Sequence, residues 1–143
     1  MRKYKPYLYG AYGSNLNKAQ MSRRCPSAMS CEVIEIPDYE LVFRGVADIE
    51  ESYGNSVMLG LWLITSDCEK ALDFYEGYPR LYTKKFIDTD AGQIMIYTMC
   101  DQSDVHPPSN NYLESIAQGC EDFSIDRSSL RQALEKSYIL QST

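Results

Sequence analysis

Two short segments of the sequence carry residues whose types and spacing could support chemistry. The first is the run Tyr12-Gly13-Ser14-Asn15-Leu16, which joins a tyrosine-rich stretch to a helix-like one. Glycine lets the backbone adopt turns that other residues disfavour and approach a ligand closely. Successive N–H groups in such a turn can hold an anion where they lead into a helix. The alternative is an ordinary strand-to-helix turn in which Ser14 or Asn15 only caps the helix.

The second segment centres on Glu76, which stands at the predicted end of a helix, directly before Gly77. A carboxylate there meets the negative end of the helix dipole, which costs about 0.3–1 kcal/mol when exposed. Its neighbours are bulky, amphipathic and suited to line a partly dry pocket: Tyr75, Tyr78, Leu81 and Tyr82. Removal from water would raise the pKa of Glu76 and make it a better base near neutral pH. The alternative is a plain surface glutamate.

The composition narrows the chemistry to carboxylates, hydroxyls and backbone groups. The five cysteines are odd in number and no two form a C-x-x-C pair, so neither a disulfide framework nor a zinc site is indicated. His106 is the only histidine and lies beside two prolines, so we expect a solvated loop residue, too isolated for a His-based metal site. A net charge of −6 argues against nucleic acid as a partner, since binding it needs clustered Lys and Arg.

The length of 143 residues suits a single domain spanning residues 1–143. No apolar run approaches the roughly 18 residues needed to cross a membrane. The N-terminal stretch is positively charged but lacks a long apolar core and a small-residue cleavage site. We interpret it as the lead-in to a first strand and expect a cytoplasmic protein with no membrane partner.

The hydrophobic pattern predicts strands and helices without a regular βαβ alternation. Strands are predicted at Tyr7–Tyr12, Cys31–Ile36, Tyr39–Arg44, Val57–Ile64, Tyr82–Thr89 and Gln93–Met99. Helices are predicted after a cap at Asn15 or Asn17, from Ser66 to Glu76, after Ser109 or Asn110, and after Asp126. The polar segment Val46–Asn55 is predicted to be a loop. This mixture favours an α+β fold with a largely antiparallel sheet or barrel.

The helix that carries Glu76 has the clearest boundaries. Ser66 and Glu69 form the pattern S-x-x-E, a capping box in which each side chain can satisfy a free backbone N–H. Gly77 with Pro79 closes the element. The pattern therefore fixes Glu76 in the last turn of its helix.

The two segments also resemble a known family. The motifs YGSNL and YEGYP, at this separation, resemble those of the gamma-glutamylcyclotransferase-like proteins, which include the plant avirulence-induced proteins. The resemblance spans roughly residues 7 to 134 and continues in Arg24-Cys25-Pro26, Gly60-Leu61-Trp62, Pro108-Ser109 and Tyr112. It implies a compact, mainly antiparallel β-barrel flanked by helices, with a cavity at one end. It implies no metal or organic cofactor.

The activity implied by the resemblance is an intramolecular cyclisation. The α-amine of a gamma-glutamyl group attacks its own γ-carbonyl and gives 5-oxoproline and a free amine or amino acid. Glu76 matches the family's catalytic glutamate and would act first as base and then as acid. The enzyme would fold the flexible glutamyl chain into a near-ring geometry.

The resemblance also implies substrate-binding residues. Main-chain N–H groups of Gly13, Ser14, Asn15 and Leu16 would hold substrate oxygens, with Tyr12 packed beside them. Tyr82 and Tyr112 would line the cavity, where a phenol can bind the substrate or Glu76; the alternative for both is an ordinary amphipathic core tyrosine. Arg44 could pair with a substrate carboxylate or form a surface salt bridge. The expected partner is a small gamma-glutamyl compound such as glutathione or a gamma-glutamylamine, bound by a monomer or a homodimer.

The competing hypothesis is a non-catalytic module that uses the same cavity to sequester a small anionic metabolite, since a fold alone does not determine function. The orientation of Glu76 discriminates between the two. Catalysis requires Glu76 to face the cavity near the Gly13–Leu16 loop. A Glu76 that faced solvent, or was held in a salt bridge to Lys84 or Arg80, would favour the binding module.

Overall fold

The structure is a computed structural model and describes residues 5–141. Within that range the strands are β1 (Tyr7–Ala11), β2 (Met29–Phe43), β3 (Ala47–Ile64), β4 (Tyr82–Thr89) and β5 (Gly92–Met99). The helices there are α1 (Lys18–Arg24), α2 (Ser66–Glu76), α3 (Asn110–Asp122) and α4 (Ser128–Leu140), and a 3₁₀ turn, Ser14–Leu16, precedes α1. No helix in residues 5–141 is both long enough and apolar enough to cross a membrane.

The strands form one sheet in the order β2-β3-β1-β5-β4. β1 is antiparallel to β3 and parallel to β5, and the β2–β3 and β4–β5 pairs are antiparallel. This confirms the predicted α+β class with a mainly antiparallel sheet. The sheet is not closed into the expected barrel, because β2 and β4 lie at opposite edges and do not pair with each other.

Salt bridges to helices are present at the two edge strands that a barrel would join. At the β2 edge, Lys136 of α4 donates from Nζ to Glu40 Oε1 at 2.8 Å. At the β4 edge, Lys84 binds Glu69 and Asp73 of α2. Charged side chains and a covering helix are common ways of protecting an edge strand. The sheet is open between these two edge strands.

The long β2–β3 hairpin differs most from the sequence prediction. The two predicted strands Cys31–Ile36 and Tyr39–Arg44 are parts of one strand, β2, with a register shift near Asp38, which has φ 62°. The segment Val46–Asn55, predicted to be a loop, belongs almost entirely to β3. Its polar residues pair across the hairpin with polar residues of β2, for example Glu50 with Glu40. A polar sequence thus forms a strand because its partner strand supplies the backbone hydrogen bonds.

Local signals elsewhere were more informative. The β4–β5 hairpin confirms the strands predicted on either side of residues 90–92, and Gly92 has φ 107° in the turn. Asn17 caps α1 by accepting from Gln20 N at 3.0 Å, and Ser109 caps α3 by accepting from Tyr112 N at 3.3 Å. Asp126 accepts from Ser128 N at 2.7 Å at the start of α4, although Arg127 occupies the cap position.

The helix α2 confirms its predicted bounds, Ser66–Glu76, but not its predicted capping box. Thr65 is at the N-cap and Ser66 is the first helical residue, so the predicted capping box is wrong. The Glu69 carboxylate instead accepts from the Tyr7 hydroxyl and Lys84. At the other end Gly77 adopts the left-handed conformation, φ 67°, that favours glycine and terminates the helix. Glu76 is consequently the last residue of α2.

The 3₁₀ turn is held against the core by close packing at two glycines. The Leu16 side chain is buried between Gly60 of β3 and Gly119 of α3. A Cβ added at Gly60 would lie 2.6 Å from Leu16, and one at Gly119 would lie 2.6 Å from Asn17 N. At Gly119 a larger residue would displace the backbone of the turn, whereas at Gly60 it would displace the side chains of Leu16 and Phe123. Gly119 therefore fixes the position of the turn.

A buried ion pair joins the start of β3 to the end of β5. The fully buried Asp48 carboxylate accepts from Arg44 Nε at 2.8 Å, Met99 N at 2.9 Å and Gln102 Nε2 at 2.9 Å. Arg44 also donates to Asp104 O at 2.8 Å and to Glu50. The surface salt bridge expected for Arg44 is therefore a buried one, and its donors are directed to these groups rather than to a substrate.

Candidate active site

A cavity of about 110 Å³ lies where the segment after β1, the C-terminus of α2 and the first turn of α3 meet. The parallel pairing of β1 with β5 brings the end of β5 to the same place. The cavity is lined by Tyr9, Tyr12, Gly13, Ser14, Asn15, Val46, Ala47, Tyr75, Glu76, Leu81, Tyr82, Tyr97 and Tyr112. Its surface is thus dominated by tyrosine rings around a single carboxyl group.

The structure brings most of the residues expected at the site together. Those that line the cavity beside Glu76 are Tyr12, Gly13, Ser14, Asn15, Tyr82 and Tyr112. Leu16 is placed elsewhere: its side chain is in the core, and its amide donates to Gly13 O at 3.0 Å. The turn places Ser14 and Asn15 at the cavity, but the Leu16 amide is taken up by a hydrogen bond within the turn. Leu16 is therefore no part of this cavity.

Glu76 is half-buried at the cavity wall. Its Oε1 accepts from Asn15 Nδ2 at 3.1 Å. Burial raises the pKa of Glu76 to about 7, while the positive charge of Arg24 and the hydrogen bond from Asn15 act in the opposite direction. Within residues 5–141 Glu76 forms no ion pair, and Lys84 pairs with Glu69 and Asp73 instead. The orientation expected for the binding module is therefore not the one observed.

Three of the cavity tyrosines donate their hydroxyl protons to other protein groups. Tyr12 donates to Tyr97 O at 2.6 Å, and Tyr82 donates to Ala47 O at 2.5 Å. Tyr97 donates to Asp73 Oδ1 at 2.6 Å. Burial raises the pKa of all three phenols well above the ordinary value, so they remain neutral at neutral pH. These hydroxyls fix the cavity walls.

The other two buried hydroxyls at the cavity accept hydrogen bonds. Tyr9 accepts from Asn15 Nδ2 at 2.8 Å, and Tyr112 accepts from Ala47 N at 3.0 Å. In the described part of the chain neither hydroxyl proton has an acceptor. Burial raises the pKa of both phenols, which keeps those protons in place at neutral pH. The cavity thus presents the O–H donors of Tyr9 and Tyr112 and one carboxyl group to a ligand, and the hydrogen-bonded hydroxyls of Ser14 and Tyr75 retain one further proton.

Several lining residues could not be located from the sequence. Tyr9 was part of a predicted strand, and its period-2 relation to Ala11 was the one signal that bore on its orientation. Tyr97 reaches the cavity because β5 pairs with β1 across 85 residues of sequence, which no local pattern predicts. Ala47 lay in the segment predicted to be a loop. All three contribute through long-range contacts.

The chain is similar to several known proteins. No family model matches it. It is 30% identical over 134 residues to a gamma-glutamylcyclotransferase of Bos taurus, covering 81% of this chain and 71% of that protein. The corresponding protein of Mus musculus is 29% identical over 136 residues with the same coverage. A solved structure named gamma-glutamyl cyclotransferase matches with a TM-score of 0.72 at 25% identity, over 96% of this chain and 89% of that one. The chain belongs to the gamma-glutamylcyclotransferase family.

Proposed function

We propose that the protein is an active gamma-glutamylcyclotransferase with Glu76 as its general acid and base. The substrate is a gamma-glutamyl amino acid, peptide or amine, and the products are 5-oxoproline and the free amine. The observation that carries the proposal is a half-buried Glu76 in a tyrosine-lined cavity, hydrogen-bonded to the Ser14–Asn15 turn. The relatives from Bos taurus and Mus musculus are named gamma-glutamylcyclotransferases, which supports the proposal.

The reaction uses one proton acceptor and no second reactant. The substrate α-ammonium group gives a proton to the Glu76 carboxylate, and the amine nitrogen then attacks the γ-carbonyl carbon. The new C–N bond closes a five-membered ring, and an electron pair moves to the carbonyl oxygen. When the C=O bond forms again, the bond to the leaving nitrogen breaks, and Glu76 returns its proton to that nitrogen. The ring nitrogen gives up its second proton to the leaving amine, so the products are the neutral lactam of 5-oxoproline and a protonated amine. Water is neither consumed nor released.

The acidity of Glu76 suits both steps. A pKa of about 7 leaves comparable amounts of carboxylate and carboxylic acid near neutral pH. A catalytic group works best when its pKa lies near the working pH, because it can then accept and return the proton readily. An ordinary exposed glutamate, with a pKa of about 4.3, would be the weaker base. Burial at the end of α2 therefore supports the assignment.

The developing oxyanion has nearby donors. The hydroxyls of Tyr9 and Tyr112 line the cavity with their protons available. The amides of Ser14 and Asn15 open the 3₁₀ turn, where the first N–H groups of a helical segment lack an internal partner. Fixed donors in an enclosed site stabilise developing negative charge more strongly than water does. We assign substrate-oxygen binding to these groups.

The proposal is tested by incubating the protein with glutathione, a gamma-glutamyl dipeptide and a gamma-glutamylamine. We expect at least one to release 5-oxoproline and free amine in equal amounts, quantified by mass spectrometry. The relative rates would rank the leaving groups. Tight binding of such a compound without any turnover would contradict the proposed enzymatic activity and support the sequestering module.

A further inference from the structure

Arg24 lies outside the cavity but contacts the residues that form its wall. It is the last residue of α1, and its guanidinium carbon lies 3.4 Å from the centroid of the Tyr75 ring. Its Nη2 donates to Gln20 Oε1 at 2.7 Å, and its Nη1 donates to Asn15 Oδ1. The stacked ring and the two hydrogen bonds hold the guanidinium in one orientation.

The contact with Arg24 determines which way the Asn15 amide faces. A guanidinium group has only donors, so the atom of Asn15 that faces it must be the carbonyl oxygen. The NH₂ group then lies on the opposite side. There Asn15 Nδ2 donates one hydrogen bond to the Tyr9 hydroxyl oxygen at 2.8 Å and another to Glu76 Oε1 at 3.1 Å. A reversed amide would set NH₂ against the guanidinium and the carbonyl against the carboxylate. Asn15 is only 3% exposed, so water cannot replace these partners.

We propose that Arg24 is a positioning residue for this site, which locks the Asn15 side chain with its NH₂ group toward Glu76 and Tyr9. The locked amide orients the Glu76 carboxylate. It also donates a hydrogen bond to the Tyr9 hydroxyl oxygen. The Tyr9 hydroxyl proton is therefore directed away from Asn15 and toward the cavity. The consequence for turnover rests on the proposed function, but the arrangement itself exists without substrate.

Arg24 also provides the positive charge that acts on Glu76. The other titratable groups that line the cavity with Glu76 are phenols of β1, the segment after it, α2, β4, β5 and α3: Tyr9, Tyr12, Tyr75, Tyr82, Tyr97 and Tyr112. Burial raises the pKa of Tyr9, Tyr12, Tyr82, Tyr97 and Tyr112, so these five remain neutral. The charge of Arg24 and the Asn15 hydrogen bond lower the pKa of Glu76 against the larger effect of burial. Loss of Arg24 therefore raises the pKa of Glu76 further.

The test measures the pKa of Glu76 in the ligand-free protein by ¹³C NMR of side-chain carboxyl groups. Arg24→Gln is compared with Arg23→Gln, an exposed neighbour on the same helix. We expect Arg24→Gln to raise the pKa by about 1 and Arg23→Gln to leave it unchanged. The same Arg24→Gln change in an Asn15→Ala background should give a smaller increase, because the charge effect of Arg24 remains but there is no amide left to orient.

Two results would overturn the proposal. An equal pKa change with and without Asn15 would mean that Arg24 acts by charge alone. An unchanged pKa accompanied by a lower Tm would mean that Arg24 only supports the fold. Should Arg24→Gln not fold, Gln20→Ala removes an anchor of the guanidinium and keeps its charge, and an unchanged pKa in that variant would equally contradict the proposal.

An activity measurement separates this proposal from the proposed function. In an active enzyme the apparent pKa of the acidic limb of the kcat/KM profile is higher in Arg24→Gln than in the wild type. The increase equals the increase in the pKa of Glu76 measured by NMR. A wild-type protein without turnover would refute the proposed enzymatic activity. The NMR comparison would still decide the role of Arg24.

Discussion

Glu76 combines two unfavourable surroundings for a negative charge, because it is half-buried and ends α2, where the helix dipole is negative. Burial is the larger cause of its raised pKa, and Arg24 and Asn15 oppose it only in part. A surface glutamate at the same helix end would remain ionised at pH 5. The residues around this one carboxyl group therefore determine whether it can act as a base near neutral pH.

The pH dependence of turnover follows from that pKa. Because the carboxylate form of Glu76 must accept the first proton, kcat/KM should fall about tenfold for each pH unit below about 7. The measurement is kcat/KM from pH 5 to pH 7.5 with a fixed gamma-glutamyl substrate. Asp67→Asn, an exposed change on the same helix, should show the same decrease in kcat/KM at acidic pH as the wild type. A profile that is flat from pH 5 to pH 7 would contradict a Glu76 base.

Two tyrosines at the cavity are expected to differ in their roles. Tyr112 retains a hydroxyl proton for the substrate, whereas Tyr82 donates its proton to Ala47 O. Tyr112→Phe should lower kcat/KM by about ten- to a hundredfold, which corresponds to the loss of about 1.5–3 kcal/mol from one hydrogen bond to a charged group. Tyr82→Phe should mainly lower the free energy of unfolding, by about 1 kcal/mol. Equal kinetic losses in the two variants would contradict this division.

At the scale of the elements, the 3₁₀ turn depends on Gly119 of α3. Alanine normally stabilises a helix interior by about 1 kcal/mol relative to glycine. Here the Cβ of Gly119→Ala would lie 2.5 Å from Leu16 Cβ and 2.6 Å from Asn17 N. We therefore expect the variant to lose about 2 kcal/mol or more of unfolding free energy and much of its activity, since Ser14 and Asn15 move with the turn.

Urea denaturation and kcat/KM measure the effect of Gly119→Ala, and Glu114→Ala on the exposed side of α3 is the matched control. The control should change neither quantity appreciably. A Gly119→Ala protein that was as stable and active as the wild type would show that the turn is not held at this contact.

The elements also show which local signals in the sequence were sufficient. The β4–β5 hairpin and the Gly77 terminus of α2 follow from turn residues and left-handed glycine, whose effects are local. The strand over Val46–Asn55 could not be predicted, because its polar residues become a strand only beside β2. The capping box predicted for α2 was wrong for a related reason: Glu69 binds Tyr7 of β1 and Lys84 of β4, which are distant in the sequence.

At the scale of the whole molecule, the sheet remains open and the Asp48 cluster links two of its strands. The carboxylate is fully buried and accepts from Arg44, Met99 N and Gln102. Asp48→Ala would leave the Arg44 guanidinium buried without its main partner, at a cost of about 3–5 kcal/mol. Glu51→Gln, which affects an exposed pair with Lys85 at 3.5 Å, should cost less than about 1 kcal/mol. Comparable Tm losses in the two variants would contradict a connecting role for Asp48.

The assembly of the site is also a property of the whole chain. Glu76 and the Ser14–Asn15 turn were found in the sequence because their motifs are contiguous. Tyr9 and Tyr97 were not, since the parallel β1–β5 pairing that brings them to the cavity joins distant parts of the chain. The role of Arg24 required knowledge of which atom of Asn15 it meets. Local motifs therefore identified the proposed reacting group but not the residues proposed to orient it.

The central claim is that Glu76 transfers the proton in a gamma-glutamyl cyclisation, and the most direct measurement is 5-oxoproline release by Glu76→Gln. Its amide is nearly isosteric but cannot accept the substrate proton, so the account predicts a loss of at least about a hundredfold in kcat with unchanged folding. Asp67→Asn, on the same helix, should retain full turnover. A Glu76→Gln protein that releases 5-oxoproline at the wild-type rate would contradict the assignment of Glu76.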